Sequence, residues 1–484
     1  MQRKPIILLN IDSLMPELLE AAIQTGRAKA LEYLMENGSY FPNVVTSYPT
    51  MSVTIDSSII TGTYADQHKI PGLNWFDVTS KERINYGTGF FEVYRTGMRK
   101  TISNMLYRLN NEHLSKEVST IFEDLAEWGL PSASINSFVY RGNVPTTFHV
   151  PKLLKTITYF EKGKFTTKAP PIISLGAFSK IDPRNITLQM AAGNYQYIVR
   201  ELKRLIQNNR LPAFTFCVFQ DLDLRIHIKG TMDLKGIAKI DREIQKIFNL
   251  YASWKEAIHK CIWIVIGDNG HALLRHKRKE AKISLPELLK DYKIAKINRP
   301  IRKRDQIVLS VNQRMAYIYV IDQNLPMPVI ANELRKDPRI DVIAWKEDEW
   351  IRVESGVVPG ALHFRKADEL IDEYDGKWKV RGNLEILDLK VKDGRLTYDR
   401  FPDALARLYG AIHSQQGRFF VVNAKPGYEF KAQLTPTHPS AAHGSLHRQE
   451  TLVPLIISGT DEVPNYLRIV DLKQFILRLI DSDM

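Results

Sequence analysis

The chain has 484 residues, of which 44% are hydrophobic and 25% charged, a composition that excludes an intrinsically disordered protein and suits one large domain or two to three smaller ones. Its net charge of +13 favours anionic partners such as phosphate esters, nucleotides, nucleic acid or a membrane surface, without choosing among them. No run of 18 or more uncharged apolar residues is present, so no membrane span is predicted.

The amino-terminal segment and the cysteines bear on the cellular compartment. The segment MQRKPIILLNID has a basic tip and an apolar run, but Asp12 ends that run too early for a signal peptide, and no small-residue cleavage site follows. Cys217 and Cys261 each lie within an apolar run, as small core residues do, which suits a reducing compartment. These features predict a cytoplasmic protein.

Strands and helices alternate from the amino terminus onward. PIILLNI has the pattern of a strand buried on both faces. The following segment, PELLEAAIQTGRAKALEYLMENG, has helical spacing of its leucines, with Pro16 near its start and Gly38 just past its end. Further helical segments precede the apolar runs SASINSFVY, AFTFCVFQ and CIWIVIGD. The alternation predicts an α/β fold with a largely parallel central sheet flanked by helices.

The residue pattern changes near residue 300, where short runs typical of β-strands, separated by charged turns, begin. We therefore predict a main core at 1–299, a smaller mixed α/β or β-rich subdomain at 300–397, and a return to the core at 398–484. Two segments with weak periodicity, at about 78–115 and 141–182, are interpreted as insertions over the edge of the sheet.

Acidic residues recur where the predicted strands end. Asp12 follows PIILLNI, Asp221 and Asp223 follow AFTFCVFQ, and Asp268 follows CIWIVIG. Functional residues of open parallel sheets gather at the carboxyl ends of the strands, and repeated carboxylates there suggest divalent cations. Each residue taken singly has an ordinary explanation, since Asp12 is equally suited to cap a helix and the DNG triplet to form a turn.

The segment YPTMSVTIDSSIITGTYADQHKIPG is rich in hydroxyl groups. Turns collect hydroxyls that bond to nearby backbone, and helix starts collect them as caps. A third interpretation is a nucleophile at the positive end of a helix, where an anionic group is held.

These motifs together resemble the alkaline phosphatase superfamily, in particular its nucleotide pyrophosphatase/phosphodiesterase branch, from Asp12 to about Gly459. NIDSL resembles the first strand with its metal aspartate, and YPTMSVT resembles the Pro-Thr-x-Thr/Ser nucleophile segment. TGTYADQHKIPG is similar to a Thr-Gly stretch that ends in His-Gly-Ile, with Lys69 where glycine is usual. DLRIHIKG fits Asp-x-x-x-His-x-x-Gly, and AAHGSLHRQETLVPLIISG resembles the closing His-Gly segment with its core strand.

The resemblance implies roles for individual residues. Ser52 aligns with the nucleophile, with Thr50 and Thr54 as alternatives, and Asn74 resembles a phosphate-contacting asparagine. Zinc is implied at one site and zinc, manganese, magnesium or calcium at a second. The first site would use Asp223, His227 and His443, with Asp221 as a nearby alternative to Asp223, and the second would use Asp12, Asp268, Asn269 and the Ser52 oxygen.

Asn269 departs from the family pattern, which has Asp-His-Gly where this chain has Asp-Asn-Gly. A carboxamide oxygen in place of an imidazole nitrogen favours harder ions. The same triplet occurs in sulfatases, although their Cys/Ser-x-Pro-x-Arg motif is not present. His271, two residues further on, is a candidate for partial replacement of the missing imidazole.

The sequence therefore predicts a metal-dependent phosphodiesterase or nucleotide pyrophosphatase that acts through a phosphoseryl intermediate at Ser52. Its expected partner is a small anionic phosphate ester or nucleotide, without specific nucleic-acid binding, because the basic residues are scattered and no nucleic-acid motif is present. Two alternatives stay open. One is a phosphomonoesterase or sulfatase-like hydrolase with a hard metal at Asn269, and the other is a non-catalytic member of the family that binds a metal or an anion.

Overall fold

The computed structural model describes residues 4–150, 160, 163–176, 178–179 and 193–481. Part of the insertion predicted at 141–182 lies outside these residues. No helix in the described part of the chain is long and apolar enough to cross a membrane.

The strands that the structure describes are, in chain order, β1 (Ile6–Ile11), β2 (Gly38–Val45), β3 (Asn74–Asp77), β4 (Glu82–Asn85), β5 (Ser132–Ile135), β6 (Val144–His149), β7 (Lys164–Ala169), β8 (Ile172–Leu175), β9 (Phe178–Ser179), β10 (Phe214–Phe219), β11 (Ile262–Gly267), β12 (Ala272–Leu273), β13 (Lys282–Ser284), β14 (Ile307–Asn312), β15 (Met315–Val320), β16 (Ile340–Glu347), β17 (Trp350–Glu354), β18 (Leu362–Asp372), β19 (Lys377–Gly382), β20 (Leu389–Lys392), β21 (Arg395–Tyr398), β22 (Phe419–Ala424), β23 (Glu429–Lys431), β24 (Ala441–Ala442) and β25 (Leu452–Ser458).

The α-helices are α1 (Pro16–Gln24), α2 (Lys29–Glu36), α3 (Ser52–Thr61), α4 (Ala65–His68), α5 (Phe90–Thr96), α6 (Met98–Ser103), α7 (Ile121–Glu127), α8 (Tyr195–Gln207), α9 (Asp221–Lys229), α10 (Leu234–Phe248), α11 (Trp254–Lys260), α12 (Leu285–Leu288), α13 (Met327–Arg335), α14 (Ala404–Ile412), α15 (Arg448–Thr451) and α16 (Leu472–Asp481). A π-helix spans Asn104–His113, and 3₁₀ turns span Leu384–Leu387 and Ile469–Asp471.

The larger core is a mostly parallel sheet with strand order β2-β25-β11-β1-β10-β5-β8-β9 within the described residues. β11, β1, β10, β5 and β8 run parallel, while β25, β2 and β9 pair antiparallel at the two edges. Alternate residues of β1 enter different cores. Ile7 and Leu9 pack with α1, α2, α8 and α10, whereas Ile6 and Leu8 pack with α3, α7 and α16. The predicted α/β fold is confirmed.

The second sheet is mainly antiparallel, with order β14-β15-β22-β16-β17-β18-β21-β20 and β19 beside β18, and apolar clusters cover both of its faces. It is the β-rich part that the sequence predicts. One of its strands, β22, lies between β15 and β16 although it falls outside the predicted range 300–397.

The segment from Pro16 to Gly38 forms two helices instead of the single helix that its spacing predicts. Gly26 has φ +65°, a left-handed conformation that ends the first helix because glycine adopts it at no steric cost.

Candidate active site

The carboxyl ends of three adjacent parallel strands meet at one edge of the larger sheet. β1 lies between β10 and β11, and its last residue, Ile11, is in register with Phe219 and Gly267. Asp12 and Asp268 follow β1 and β11 directly, and α9 begins just after β10. The strand order therefore brings these acidic positions together, as the sequence predicts.

A compact cluster of one carboxylate and three imidazoles lies at this edge. Asp223 and His227 are one turn apart on α9, the placement that Asp-x-x-x-His spacing gives in a helix. Single ligand atoms from Asp223, His227, His271 and His443 all lie within 4.8 Å of one another. The Nε2 atoms of His271, His227 and His443 are 3.2, 3.3 and 3.4 Å from the Asp223 Oδ1 atom. Three ring nitrogens thus converge on one carboxylate oxygen.

Backbone carbonyls orient two of these rings. His227 Nδ1 donates to the carbonyl of Ala441 at 2.8 Å, and His443 Nδ1 donates to the carbonyl of Thr50. A carbonyl can only accept, so the proton of each neutral ring is on Nδ1 and the Nε2 lone pair faces Asp223. This arrangement is typical of histidines that bind a metal ion.

His271 belongs to this cluster by its geometry. The sequence suggests His271 as a partial replacement for the imidazole missing at Asn269, and its buried Nδ1 atom has no hydrogen-bond partner among the described residues. Its Nε2 atom joins the first cluster. It lies 2.7 Å from Ser13 Oγ and 3.2 Å from Asp223 Oδ1. The three-residue set expected from the sequence therefore has a fourth neighbour.

A second group, made only of oxygens, is linked to the first through Ser13. The Ser13 hydroxyl donates to Asp223 Oδ1 at 3.0 Å, and its backbone N–H donates to Asp268 Oδ1 at 2.7 Å. Asp12 Oδ1, Asp268 Oδ2 and Asn269 Oδ1 are buried and have no hydrogen-bond partner among the described residues. Buried acceptors are almost always paired, so these three oxygens fit a cation.

The two donor sets suit different metals. One carboxylate oxygen with neutral imidazole nitrogens is a zinc-type set. Carboxylate and carboxamide oxygens form a harder set that also suits magnesium, manganese or calcium. The residues present therefore fit the two metal sites that the sequence implies.

The pKa values of the carboxyl groups in the site shift in opposite directions, because burial and mutual repulsion raise two of them while neighbouring histidines lower the third. Burial, together with the nearby charge of Asp268, raises the pKa of Asp12 well above its usual range. Burial also raises the pKa of Asp268 to about 6, despite the hydrogen bond that its Oδ1 atom accepts from the backbone N–H of Ser13. Burial alone would raise the pKa of Asp223, but the neighbouring imidazoles of His227, His271 and His443 hold it well below the usual range. Clustered carboxylates with raised pKa values gain most from a bound cation.

Ser52 is the first residue of α3 and lies close enough to Asp268 for its hydroxyl to lower the pKa of that carboxyl. Its side chain is partly exposed, whereas the alternatives Thr50 and Thr54 are both fully buried. The Thr50 hydroxyl accepts a hydrogen bond from the backbone N–H of Gly444 at 2.6 Å. Of the three candidate hydroxyls, Ser52 is therefore the one that both contacts the acidic group and is open to solvent.

A family model described as type I phosphodiesterase / nucleotide pyrophosphatase matches residues 6–398. The chain belongs to this family. No curated protein sequence matches the chain significantly.

Solved structures agree with this family in their fold. Murine ectonucleotide pyrophosphatase/phosphodiesterase 5 is 12% identical, with 99% of this chain and 95% of that chain covered and a TM-score of 0.59. An inactive variant of the murine protein in complex with AMP has the same identity and coverage and a TM-score of 0.57. Phosphonoacetate hydrolase from Sinorhizobium meliloti 1021, in complex with phosphonoformate, is 16% identical, with 99% and 96% covered and a TM-score of 0.57.

Asn74, which the family resemblance assigns to phosphate contact, begins β3 and is held from two sides. Its side-chain NH₂ donates to Glu92 Oε1 at 2.9 Å, and Glu92 also accepts from Thr88. Its backbone N–H and carbonyl pair with the side chain of Asn312 at 3.0 and 2.8 Å. The Asn74 carboxamide is therefore fixed in orientation, with one N–H committed to Glu92.

Asp56 gives the chain a pH-dependent stability that can be measured. It lies one turn along α3 from Ser52, accepts from Asn10 Nδ2 at 2.8 Å and from Ser137 Oγ at 3.3 Å, and burial raises its pKa to about 8. Between about pH 4 and pH 8 the folded state keeps a proton that the unfolded state has lost. The stabilisation from that proton therefore decreases as pH rises, by about 1.4 kcal/mol per pH unit.

We expect Asp56→Asn to remove this decrease. Urea unfolding in the presence of a chelator, at several pH values from 5 to 9, measures the free energy of unfolding. Relative to the wild type, this free energy should rise for the variant up to about pH 8, and the difference between the two proteins should stay constant above that pH. The exposed Asp461→Asn serves as the control. Equal slopes for the wild type and Asp56→Asn would contradict the shift.

Proposed function

We propose that the chain is a metal-dependent phosphodiesterase or nucleotide pyrophosphatase in which Ser52 takes up the phosphoryl group of the substrate. The family supports hydrolysis of phosphate esters in general terms. The observation that carries the finer proposal is the position of Ser52 at the start of a helix and close to Asp268. Ser13 in turn links Asp268 to the cluster of Asp223 and its three histidines.

Zinc would be held by Asp223, His227 and His443, with His271 as an additional nitrogen donor. A second divalent ion, zinc, manganese, magnesium or calcium, would be held by Asp12, Asp268, Asn269 and the Ser52 oxygen. When bound, such ions supply positive charge that lowers the pKa of hydroxyl groups and water and that neutralises phosphate oxygens.

Ser52 Oγ would attack phosphorus in line with the leaving oxygen. The new Ser52 O–P bond forms as the bond to the leaving alcohol or phosphate breaks, and the proton lost by the serine hydroxyl balances the one gained by the leaving oxygen. The positive end of α3 favours the phosphate charge. Asn74, held by Glu92, would contribute its remaining N–H to a phosphate oxygen.

Water would then cleave the phosphoseryl group. The water oxygen bonds to phosphorus, the Ser52 O–P bond breaks, and the serine hydroxyl recovers its proton. A diester thus gives an alcohol in the first step and a phosphate monoester in the second.

A nucleotide is the favoured substrate class. The structure of an inactive murine family member contains AMP, and this chain has a net charge of +13, which favours a small anionic substrate. The oxygen-only second group supports one further candidate, a phosphomonoesterase or sulfatase-like hydrolase that uses a hard metal at Asn269.

Substitution of Asn269 by histidine tests the chemistry of the second site. Asn269→His places a nitrogen donor beside Asp12 and Asp268, so we expect zinc affinity at that site to rise about tenfold or more and the preference for manganese or magnesium to fall. Calorimetric titration of protein whose first site is already filled with zinc measures both. Asn269→Asp is the matched control, because it keeps an oxygen donor. An unchanged order of metal preference in Asn269→His would contradict the assignment.

Turnover of three p-nitrophenyl esters tests the proposed function. The protein is treated with a chelator, reloaded with zinc, manganese, magnesium or calcium singly, and supplied with bis-p-nitrophenyl phosphate, p-nitrophenyl phosphate or p-nitrophenyl sulfate. We expect the diester to be hydrolysed fastest, and only after metal is restored. Faster turnover of the monoester or the sulfate would favour the second candidate, and no turnover by folded protein with any metal would favour the non-catalytic alternative.

A further inference from the structure

The tip of the hairpin between β14 and β15 brings the second sheet into contact with the histidine cluster. Gln313 and Arg314 form its two-residue tip, and Gln313 has φ +57°. The Arg314 backbone N–H donates to the carbonyl of His443 at 3.0 Å, and its buried guanidinium pairs with Glu450. The carbonyl of Gln313 accepts from the N–H of Phe430 at 2.8 Å. The tip is therefore held rigidly against the site.

The Gln313 carboxamide has a defined orientation. Its Oε1 atom accepts from the backbone N–H of His443 at 3.1 Å, which identifies the other atom as the NH₂ group. That Nε2 atom lies 3.0 Å from His443 Nε2 and 3.4 Å from His227 Nε2. Both ring nitrogens carry lone pairs, because the Nδ1 protons are committed to backbone carbonyls. The Gln313 NH₂ group is thus the donor that faces them.

These are the lone pairs that would bind zinc in the proposed function. A lone pair serves one partner, so a cation bound there releases the N–H groups of Gln313 while Oε1 stays anchored to His443. Gln313 is partly exposed and lines a small surface pocket together with Met51 and Leu73. Met51 directly precedes Ser52, and Leu73 directly precedes Asn74. The released donors would therefore face the space where a phosphate ester would meet Ser52.

We propose that Gln313 is a substrate-binding residue that couples metal binding to substrate binding. Its NH₂ group donates to the histidine nitrogens until a cation binds those nitrogens, and it then donates to a phosphate oxygen of the substrate. The inference rests on the proposed function for the identity of the cation and the ligand. It makes Gln313 a weak competitor of zinc and a direct contributor to phosphate affinity.

Gln313→Asn tests this coupling. Asparagine tolerates the left-handed backbone at this position, and its side chain is one methylene too short to reach the histidines. Gln313→Ala is the second variant, and Gln306→Ala, whose amide donates to Asp322 far from the cluster, is the control. Thermal unfolding first establishes that each variant is folded. Calorimetry then measures zinc binding to chelator-treated protein and inorganic phosphate binding to zinc-loaded protein, without any turnover.

We expect zinc to bind the two Gln313 variants as tightly as the wild type or a few-fold more tightly, and phosphate to bind about tenfold more weakly. Weaker zinc binding with unchanged phosphate binding would show a purely structural role and overturn the inference. If the wild type hydrolyses a phosphodiester but the Gln313 variants bind phosphate as tightly as the wild type, the inference is overturned and the proposed function stands. If the variants bind phosphate more weakly but the wild type shows no turnover, the inference stands and the proposed function is overturned. A wild-type chain that binds no zinc would overturn both.

Discussion

Replacement of Ser52 by alanine will lower kcat for a phosphodiester by at least about 1,000-fold, the scale of loss when a nucleophile is removed. The change deletes one partly exposed oxygen at the start of α3 and leaves the buried side chains of that helix in place. Zinc binding at the cluster of Asp223 and its three histidines should be nearly unchanged. Stopped-flow turnover of bis-p-nitrophenyl phosphate and calorimetric zinc titration measure the two effects separately.

Ser57→Ala is the matched control for this variant. Ser57 lies on the same helix, but its hydroxyl donates to the carbonyl of Val53 at 2.7 Å and is fully buried. Its loss should cost some stability and leave kcat within about twofold. A Ser52→Ala protein that retains more than a tenth of wild-type kcat would contradict the assignment of the nucleophile.

Asp223→Asn will lower zinc affinity by at least about 100-fold and turnover in proportion, because it removes the charge of the oxygen on which three imidazoles converge. Even residues that only support a metal ligand are worth 10- to 100-fold in affinity, roughly, so loss of a ligand charge should exceed that. Competition with a chromophoric chelator gives the zinc dissociation constant directly.

Asp221→Asn is the matched control, since both residues lie in the first turn of α9. Asp221 Oδ2 instead accepts the backbone N–H of Tyr195 at 2.7 Å, an interaction that the carboxamide oxygen of asparagine can keep. Equal losses of zinc affinity in the two variants would mean that the negative charge of α9 matters in general and that Asp223 has no special role.

The central sheet and part of the site were predictable from local sequence. β1, β10 and β11 are predominantly apolar and buried along their whole length, so their pattern indicates strands covered on both faces, and the chain order of strands and helices makes them parallel. The four-residue spacing of Asp223 and His227 becomes one turn of α9. In these cases a short stretch of chain determines the geometry by itself.

Contacts between residues far apart in the chain could not be predicted, because no local sequence pattern indicates them. The direction in which His271 points depends on how the loop after β11 packs against Ser13, 258 residues away. Gln313 reaches the histidines only because the second sheet docks on the larger one, and a glutamine in a hairpin turn is otherwise unremarkable as a sequence feature. β22 follows α14 in the chain but pairs with β15 and β16, which come much earlier in the sequence. Tertiary packing, which a single sequence does not encode locally, determines these positions.

The most direct test of the account is to identify the atom that receives the phosphoryl group. Metal-loaded protein is mixed with bis-p-nitrophenyl phosphate, quenched in acid within milliseconds, and digested for peptide mass spectrometry. The account predicts an aryl phosphoryl group on Ser52 that appears only when metal is present and disappears as turnover ends. An active enzyme that carries the group on Thr50 or Thr54, or on no residue at any quench time, would contradict it.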